Sequence, residues 1–248
     1  MMPRERSVKK LTGMPDVPLP SQALGPDSTL PRRVWYDTAR ATVRLAFTLA
    51  FRLRYTGLAN VPRQGAALVV SNHQSHLDPP LIGAGYPRRM NFLARDTLYR
   101  SPLFARLIRS LNAIPLDREG GGMAGMKETL RRLKRGEAIL VFPEGTRCWD
   151  GDIHPFKPGF ATLAKRAGAA IVPATIEGAF QSWPRTRNYP LPGTIHVHFN
   201  PPILSQEIRE LSEDEVVREV VTRIRAGREL IRRRPAILPR HERRSRAM

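Results

Sequence analysis

The sequence predicts an α/β protein: a single domain with a mostly parallel central sheet flanked by helices, preceded by an N-terminal amphipathic helix. Three observations point there. Short apolar runs of strand length alternate with stretches of helical periodicity, the pattern of strand-helix-strand units. Two of those runs end in polar turns, as strands do where an open sheet binds ligand. The chain has 248 residues and 41% hydrophobic content, enough for one domain with a buried core and too apolar for wholesale disorder.

In chain order, residues 1–33 form a basic, proline-rich tail expected to be disordered; it contains no apolar h-region of a signal peptide. Residues 34–56 predict an amphipathic helix. Trp35, Ala39, Leu45, Ala46, Leu49 and Leu53 fall along one stripe, with Arg40, Arg44 and Arg52 opposite, among Phe47 and Phe51. Arg44 and Arg52 leave no uninterrupted apolar run of about 20 residues, so the helix does not span a bilayer. It suits a helix lying among anionic headgroups; the competing reading is a helix packed on the protein's own sheet.

The globular domain is expected over 57–230. Candidate strands are 66–71, 90–94, 137–142, 170–176 and 194–199, and helical stretches lie at 79–85, 102–111, 123–135 and 158–167. In the last strand Ile195, Val197 and Phe199 alternate with His196 and His198, which places the histidines on a wetter face. Ser212 and Glu215 form a capping box for a helix that turns Val216, Val217, Val220, Val221 and Ile224 inward. A basic tail, 231–248, closes the chain.

The segment AALVVSNHQSHLDPP, 66–80, carries Asn72 and His73 from an apolar strand into a turn that ends at Asp78. Histidine titrates near neutrality, and a carboxylate beside it fixes its tautomer, so the pair is a candidate acid–base device. Asp78 before Pro79 and Pro80 also suits a helix cap. GEAILVFPEGTRCWDG, 136–151, repeats the arrangement: an apolar strand runs into Pro143, Glu144, Gly145, Thr146 and Arg147. Freed amides at Gly145, the Thr146 hydroxyl and the Arg147 fork suit a phosphate. The bland alternative is a surface turn with an internal Glu–Arg pair.

NHQSHLD at 72–78 and FPEGTR at 142–147 resemble, in order and spacing, the signature blocks of the glycerolipid acyltransferases of the 1-acylglycerol-3-phosphate acyltransferase type. AIPLDRE at 113–119, FKPG at 156–159 and IVPATIEG at 171–178 resemble three further blocks, so the similarity runs from about Gly57 to Pro202. Cys148 stands where the family usually has Ser, Thr175 lies in a strand usually more apolar, and Arg95 stands where Lys is common.

The resemblance implies transfer of an acyl group from a thioester to a lysophospholipid hydroxyl, most directly 1-acylglycerol 3-phosphate, in phospholipid biosynthesis. His73 is then the general base and Asp78 its orienter. Arg95, Arg118, Arg147 and Lys157 are candidates for the acceptor's phosphate, and Glu144 for positioning Arg147 or an acceptor hydroxyl. Donors near Gly145 and Thr146 or in the 72–78 turn are candidates for the oxyanion. The donor substrate is acyl-CoA or acyl-carrier protein, with no further cofactor. No protein nucleophile is needed, and a Cys148–His154 pair is set aside because nearness in sequence does not make a thiolate. No metal is expected: one Cys and no HExxH motif leave His73, His76, Asp78 and Glu144 a weak ligand set. Gly120, Gly121 and Gly122 lack the Lys-Ser/Thr of a P-loop.

Lys and Arg number 41 against 22 Asp and Glu, a net charge of +19, which favours anionic partners: a membrane surface, phosphorylated substrates or nucleic acid. A basic nucleic-acid-binding protein is the alternative reading, though it rests on charge alone, without a reading motif or aromatic platform. With one Cys there is no intrachain disulfide, which agrees with a reducing interior and with peripheral or monotopic attachment to the cytoplasmic side of the cell membrane.

Overall fold

The computed structural model describes residues 30–116 and 123–233. Arg118, the glycines at 120–122 and the tails before 30 and after 233 lie outside them. Helix α1 (Leu30–Phe51) leads into strand β1 (Arg54–Thr56); then follow β2 (Ala67–Ser71), α2 (Asp78–Gly85), β3 (Met90–Arg95), α3 (Pro102–Ser110), β4 (Ala113–Leu116), α4 (Met123–Lys134) and β5 (Ala138–Val141). The chain continues through α5 (Gly159–Ala167), β6 (Ala170–Glu177), the short α6 (Ala179–Ser182), β7 (His196–Phe199), α7 (Ser205–Glu210) and α8 (Glu213–Arg233).

Seven strands form one sheet in the order β1-β7-β6-β2-β5-β3-β4. Every pairing is parallel except β6 with β7. At the centre β2 is buried along its whole length, as a strand covered on both faces must be. Its alternate residues feed two cores. Val69 joins Leu81, Ile82, Tyr86, Leu140 and Phe199 beneath α1 and α2, whereas Leu68 and Val70 join Leu133, Phe160, Val216, Val220 and Ile224 beneath α4, α5 and α8. The α8 capping box forms as expected, with the Glu215 N–H donating to Ser212 Oγ at 3.2 Å and the Ser212 N–H to Glu215 Oε2 at 2.7 Å.

Several expectations are corrected. The first helix runs from 30 to 51, not 34 to 56, because Arg52 adopts a positive φ of 41° and the chain then turns to pair β1 with β7. Strand β4 and helix α7 carried no periodic signal; β4 is four residues at the sheet edge and contains Pro115, which has no N–H to donate. His196 and His198 are not on a wet face. Both are buried, and the Thr56 hydroxyl bridges His196 Nε2 at 3.0 Å and His198 Nδ1 at 2.8 Å.

α1 packs along one side on the protein's own sheet and α2, as the competing reading had it. Tyr36 hydroxyl accepts the Met90 N–H at 3.1 Å, Arg40 donates to the Tyr86 carbonyl at 3.0 Å, and Phe51 enters the core. The opposite side leaves Leu30, Val34, Trp35, Leu45 and Leu49 exposed. Trp35 Nε1 donates to Ser110 Oγ at 3.0 Å, which joins this surface to α3, where Leu103, Phe104 and Leu107 are also exposed. Among the described residues no helix is long and apolar enough to cross a membrane.

Gly178, at the carboxyl end of β6, has φ +91°, and a Cβ there would lie 2.0 Å from the Thr194 carbonyl oxygen. Neither backbone can yield without breaking the β6–β7 turn. Gly178→Ala is expected to lower unfolding free energy by at least about 2 kcal/mol in urea denaturation.

Candidate active site

The site is assembled where the carboxyl ends of β2, β5, β3 and β6 meet. Parallel pairing sets Val70 opposite Val141, so the turn after β2 and the turn after β5 leave the sheet side by side. On the other flank, Asn72 extends β2's contact with β6: its side chain donates to the Ile176 carbonyl and accepts the Ile176 N–H, both at 2.9 Å. Asn72 thereby supplies one more rung beyond the strand and holds His73 at its end.

His73 Nδ1 lies 2.8 Å from Asp78 Oδ2. That oxygen also accepts the backbone N–H groups of Gln74 at 2.6 Å and Ser75 at 2.7 Å. Asp78 is fully buried, and Phe142 stacks on the imidazole with centroids 4.1 Å apart. With Nδ1–H donating to Asp78, Nε2 is the ring nitrogen left to accept. Asp78 is not the helix cap that the sequence suggested. It is already in α2's first turn, after Leu77, with no side-chain capping bond. The reason is local: the two following positions are prolines and have no N–H for a cap to satisfy, so the carboxylate is left to close the turn behind it and meet His73.

The β5 turn grips the same residue from the other side. Glu144 Oε1 accepts the His73 N–H at 3.0 Å, and the Cys148 N–H donates to the His73 carbonyl at 2.8 Å. His73 is thus fixed at its amide, its carbonyl and its ring. Glu144 makes no ion pair with Arg147, so the Glu–Arg pair entertained from sequence is absent among the described residues. Burial instead pushes the Glu144 carboxyl up from 4.5 to about 7. Gly145 turns at φ +76° with its N–H donated to the Phe142 carbonyl at 3.0 Å, which removes it from the candidate oxyanion donors, and Lys157 Nζ lies over this glycine.

Arg147 is half-buried, and burial together with the nearby Arg185 and Arg95 lowers its pKa. Arg95 reaches the site from the carboxyl end of β3 and is exposed, as are Thr146 and Lys157. Arg118 lies outside the described residues. His76 packs against Trp183, at 5.3 Å between centroids, and burial and Arg147 lower its pKa. The Cys148 thiol is buried and pushed up to about 11, away from a nucleophilic thiolate, while His154 pairs with Asp150 at 2.9 Å.

Sequence reasoning missed Phe142 as the imidazole's stacking partner, and it missed the 183–187 segment, whose Trp183 carbonyl accepts the Ser75 hydroxyl at 2.8 Å. Phe142 read as strand, and SWPRTR has no periodicity to mark it.

The Acyltransferase family profile matches residues 52–177, which include His73, Asp78, Arg95, the 142–147 turn and Lys157. The chain belongs to that family. It is 31% identical over 157 residues to the chloroplastic 1-acyl-sn-glycerol-3-phosphate acyltransferase of Arabidopsis thaliana, covering 62% of this chain and 44% of the relative. It therefore spans less than half of that plant protein. With the Bacillus subtilis 1-acyl-sn-glycerol-3-phosphate acyltransferase it shares 30% identity over 144 residues, 58% of this chain and 71% of the relative. The crystal structure of the 1-acyl-sn-glycerophosphate acyltransferase PlsC from Thermotoga maritima superposes with a TM-score of 0.74 at 29% identity, covering 83% of both chains. Family membership favours an enzyme over the nucleic-acid-binding alternative.

The raised Glu144 pKa carries a stability signature. Since the folded state holds this proton more tightly than the unfolded state, its contribution is fully present below about pH 4.5 and is lost as pH rises through about 7. Glu144→Gln keeps an oxygen for the His73 N–H and cannot ionise. Its stability relative to wild type is expected to rise by about 1 kcal/mol or more between about pH 5 and pH 8, read by urea denaturation at each pH.

Proposed function

We propose that this chain acylates the free hydroxyl of 1-acylglycerol 3-phosphate, giving phosphatidate, with an acyl thioester as donor. The observation that carries the reading is His73, hydrogen-bonded to buried Asp78 and clamped at both backbone groups by the turn that bears Arg147. The names of the family relatives support the acceptor, and the cluster of Arg95, Arg147 and Lys157 supports an acceptor with a phosphate.

In this mechanism His73 Nε2 takes the acceptor hydroxyl's proton as its oxygen attacks the thioester carbonyl. Asp78 stabilises the imidazolium through Nδ1. The tetrahedral intermediate collapses with cleavage of the C–S bond, and the imidazolium returns the proton to the leaving thiolate. The donor is acyl-CoA or acyl-carrier protein; either thioester satisfies this chemistry. Below about pH 7 the protonated Glu144 adds a hydrogen-bond donor beside the dyad, at Oε2, an oxygen without a protein partner among the described residues.

Purified protein incubated with lysophosphatidate and labelled acyl-CoA or acyl-carrier protein is expected to form labelled phosphatidate. His73→Ala is expected to lower kcat by about 10²- to 10⁴-fold while circular dichroism stays native. Absence of product from wild type with either donor would overturn the reading.

The exposed apolar surface of α1 and α3 is the proposed seat on the bilayer, at the cytoplasmic side, with the flanking arginines toward anionic headgroups. Leu45 and Leu49 are 63% and 76% exposed, so replacing them leaves the core intact. Leu45→Glu with Leu49→Glu is expected to weaken co-flotation with phosphatidylglycerol-containing liposomes by at least about tenfold, because both the apolar gain and the charge are reversed.

A further inference from the structure

The family match ends at residue 177, yet a basic side chain beyond it reaches the turn that bears Thr146 and Arg147. Arg185 lies on the loop that follows β6 and α6. Its guanidinium carbon stands over the Trp149 ring, 3.3 Å from the centroid, and Nη1 donates to Thr146 Oγ1 at 3.3 Å. The loop is not free to wander: Ser75 Oγ, from the His73 turn, donates to the Trp183 carbonyl at 2.8 Å, and Trp183 Nε1 donates to the Arg187 carbonyl at 2.9 Å. A flexible side chain has thus been fixed by stacking, by Thr146 and by a loop tied to the catalytic turn. Among the described residues no carboxylate pairs with Arg185, Arg147 or Arg95, although exposed arginines elsewhere, such as Arg232, find one.

Arg95 at the end of β3, Arg147 after β5 and Arg185 after α6, none with an ion-pair partner among the described residues, repel one another, and Arg185 and Arg95 both disfavour the charge on Arg147. A multiply charged oxyanion removes that cost. A phosphate monoester presents three oxygens and nearly two charges, whereas a phosphodiester headgroup presents one charge and two free oxygens.

We propose that Arg185, pre-positioned by Trp149, is a direct ligand of the acceptor's phosphate and sets the enzyme's preference for a phosphomonoester headgroup over phosphodiester lysophospholipids. This rests on the lysophosphatidate reading above. Arg185 supplies a planar fork to the terminal phosphate, complementing Arg147, and its Nη2 and Nε remain available because Nη1 alone is engaged with Thr146 and, at 3.5 Å, with the Arg147 carbonyl.

The test compares Arg185→Gln, Arg185→Lys and Trp149→Ala with wild type, using lysophosphatidate and lysophosphatidylglycerol as acceptors at fixed donor. Arg185→Gln is expected to raise KM for lysophosphatidate by about tenfold or more, with a much smaller change in kcat, and to shift KM for lysophosphatidylglycerol less, so that discrimination shrinks. Arg185→Lys restores charge without the stack or fork and is expected to recover part of the loss. Trp149→Ala keeps the charge and releases its position, giving an intermediate KM. A wild-type KM in Arg185→Gln, or equal increases with both acceptors, overturns the proposal while leaving the acyltransferase reading intact. Protection of the wild-type protein against heat by glycerol 3-phosphate, reduced in Arg185→Gln, provides a readout that needs no acyl transfer. Equal protection of both proteins also overturns it.

Discussion

The parallel register of β2 against β5 is the constraint on which the site depends. With Val70 opposite Val141, one strand must release His73 beside the place where its neighbour releases Glu144. The two turns then hydrogen-bond through His73's own amide and carbonyl, which ties the imidazole directly to the turn that bears Arg147. A slip of this pairing by one residue would turn every core side chain of β2 to the wrong face, and two apolar cores forbid it. The precision of the site is therefore inherited from hydrophobic packing well behind it.

Electrostatics divides the site into two parts. Around the imidazole, a fully buried Asp78 meets one ring nitrogen and two backbone N–H groups, all at Oδ2, while its Oδ1 has no hydrogen-bond partner among the described residues. Beyond it, Arg95, Arg147 and Arg185 gather without an ion-pair partner among the described residues, and burial raises the one acid in the turn, Glu144, to about 7. The exposed apolar surface shared by α1 and α3 complements this division in the proposed reading, in which the acceptor has an anionic head and an apolar tail.

Much of this was legible in the chain. The five strands read from apolar runs are present within one or two residues, because strands buried on both faces leave an uninterrupted apolar signal. His73, Asp78, Glu144 and Arg147 stood out because polar residues packed into short turns after such runs have few structural reasons to be there. β1 and β4 were silent: each is four residues or fewer at a sheet edge, formed because a partner strand offers hydrogen bonds and not through any pattern of its own. His196 and His198 misled, since alternation marks two faces of a strand but not which is covered; Thr56, some 140 residues away in sequence, buries and bonds them both.

By itself the sequence determined the fold class, five of the seven strands with the helices between them, and the pair of polar turns that end β2 and β5, all of which follow from local periodicity and residue type. Only the tertiary structure decided what those residues do to one another. It kept Asp78 as the partner of His73 while removing its helix-cap role, gave Glu144 to the His73 amide and not to Arg147, and brought Arg185 over Trp149. The reason is physical: a hydrogen bond or a stacked guanidinium requires contact at about 3 to 4 Å, and which distant residues reach that range is settled by strand order and register, which no local stretch of sequence contains.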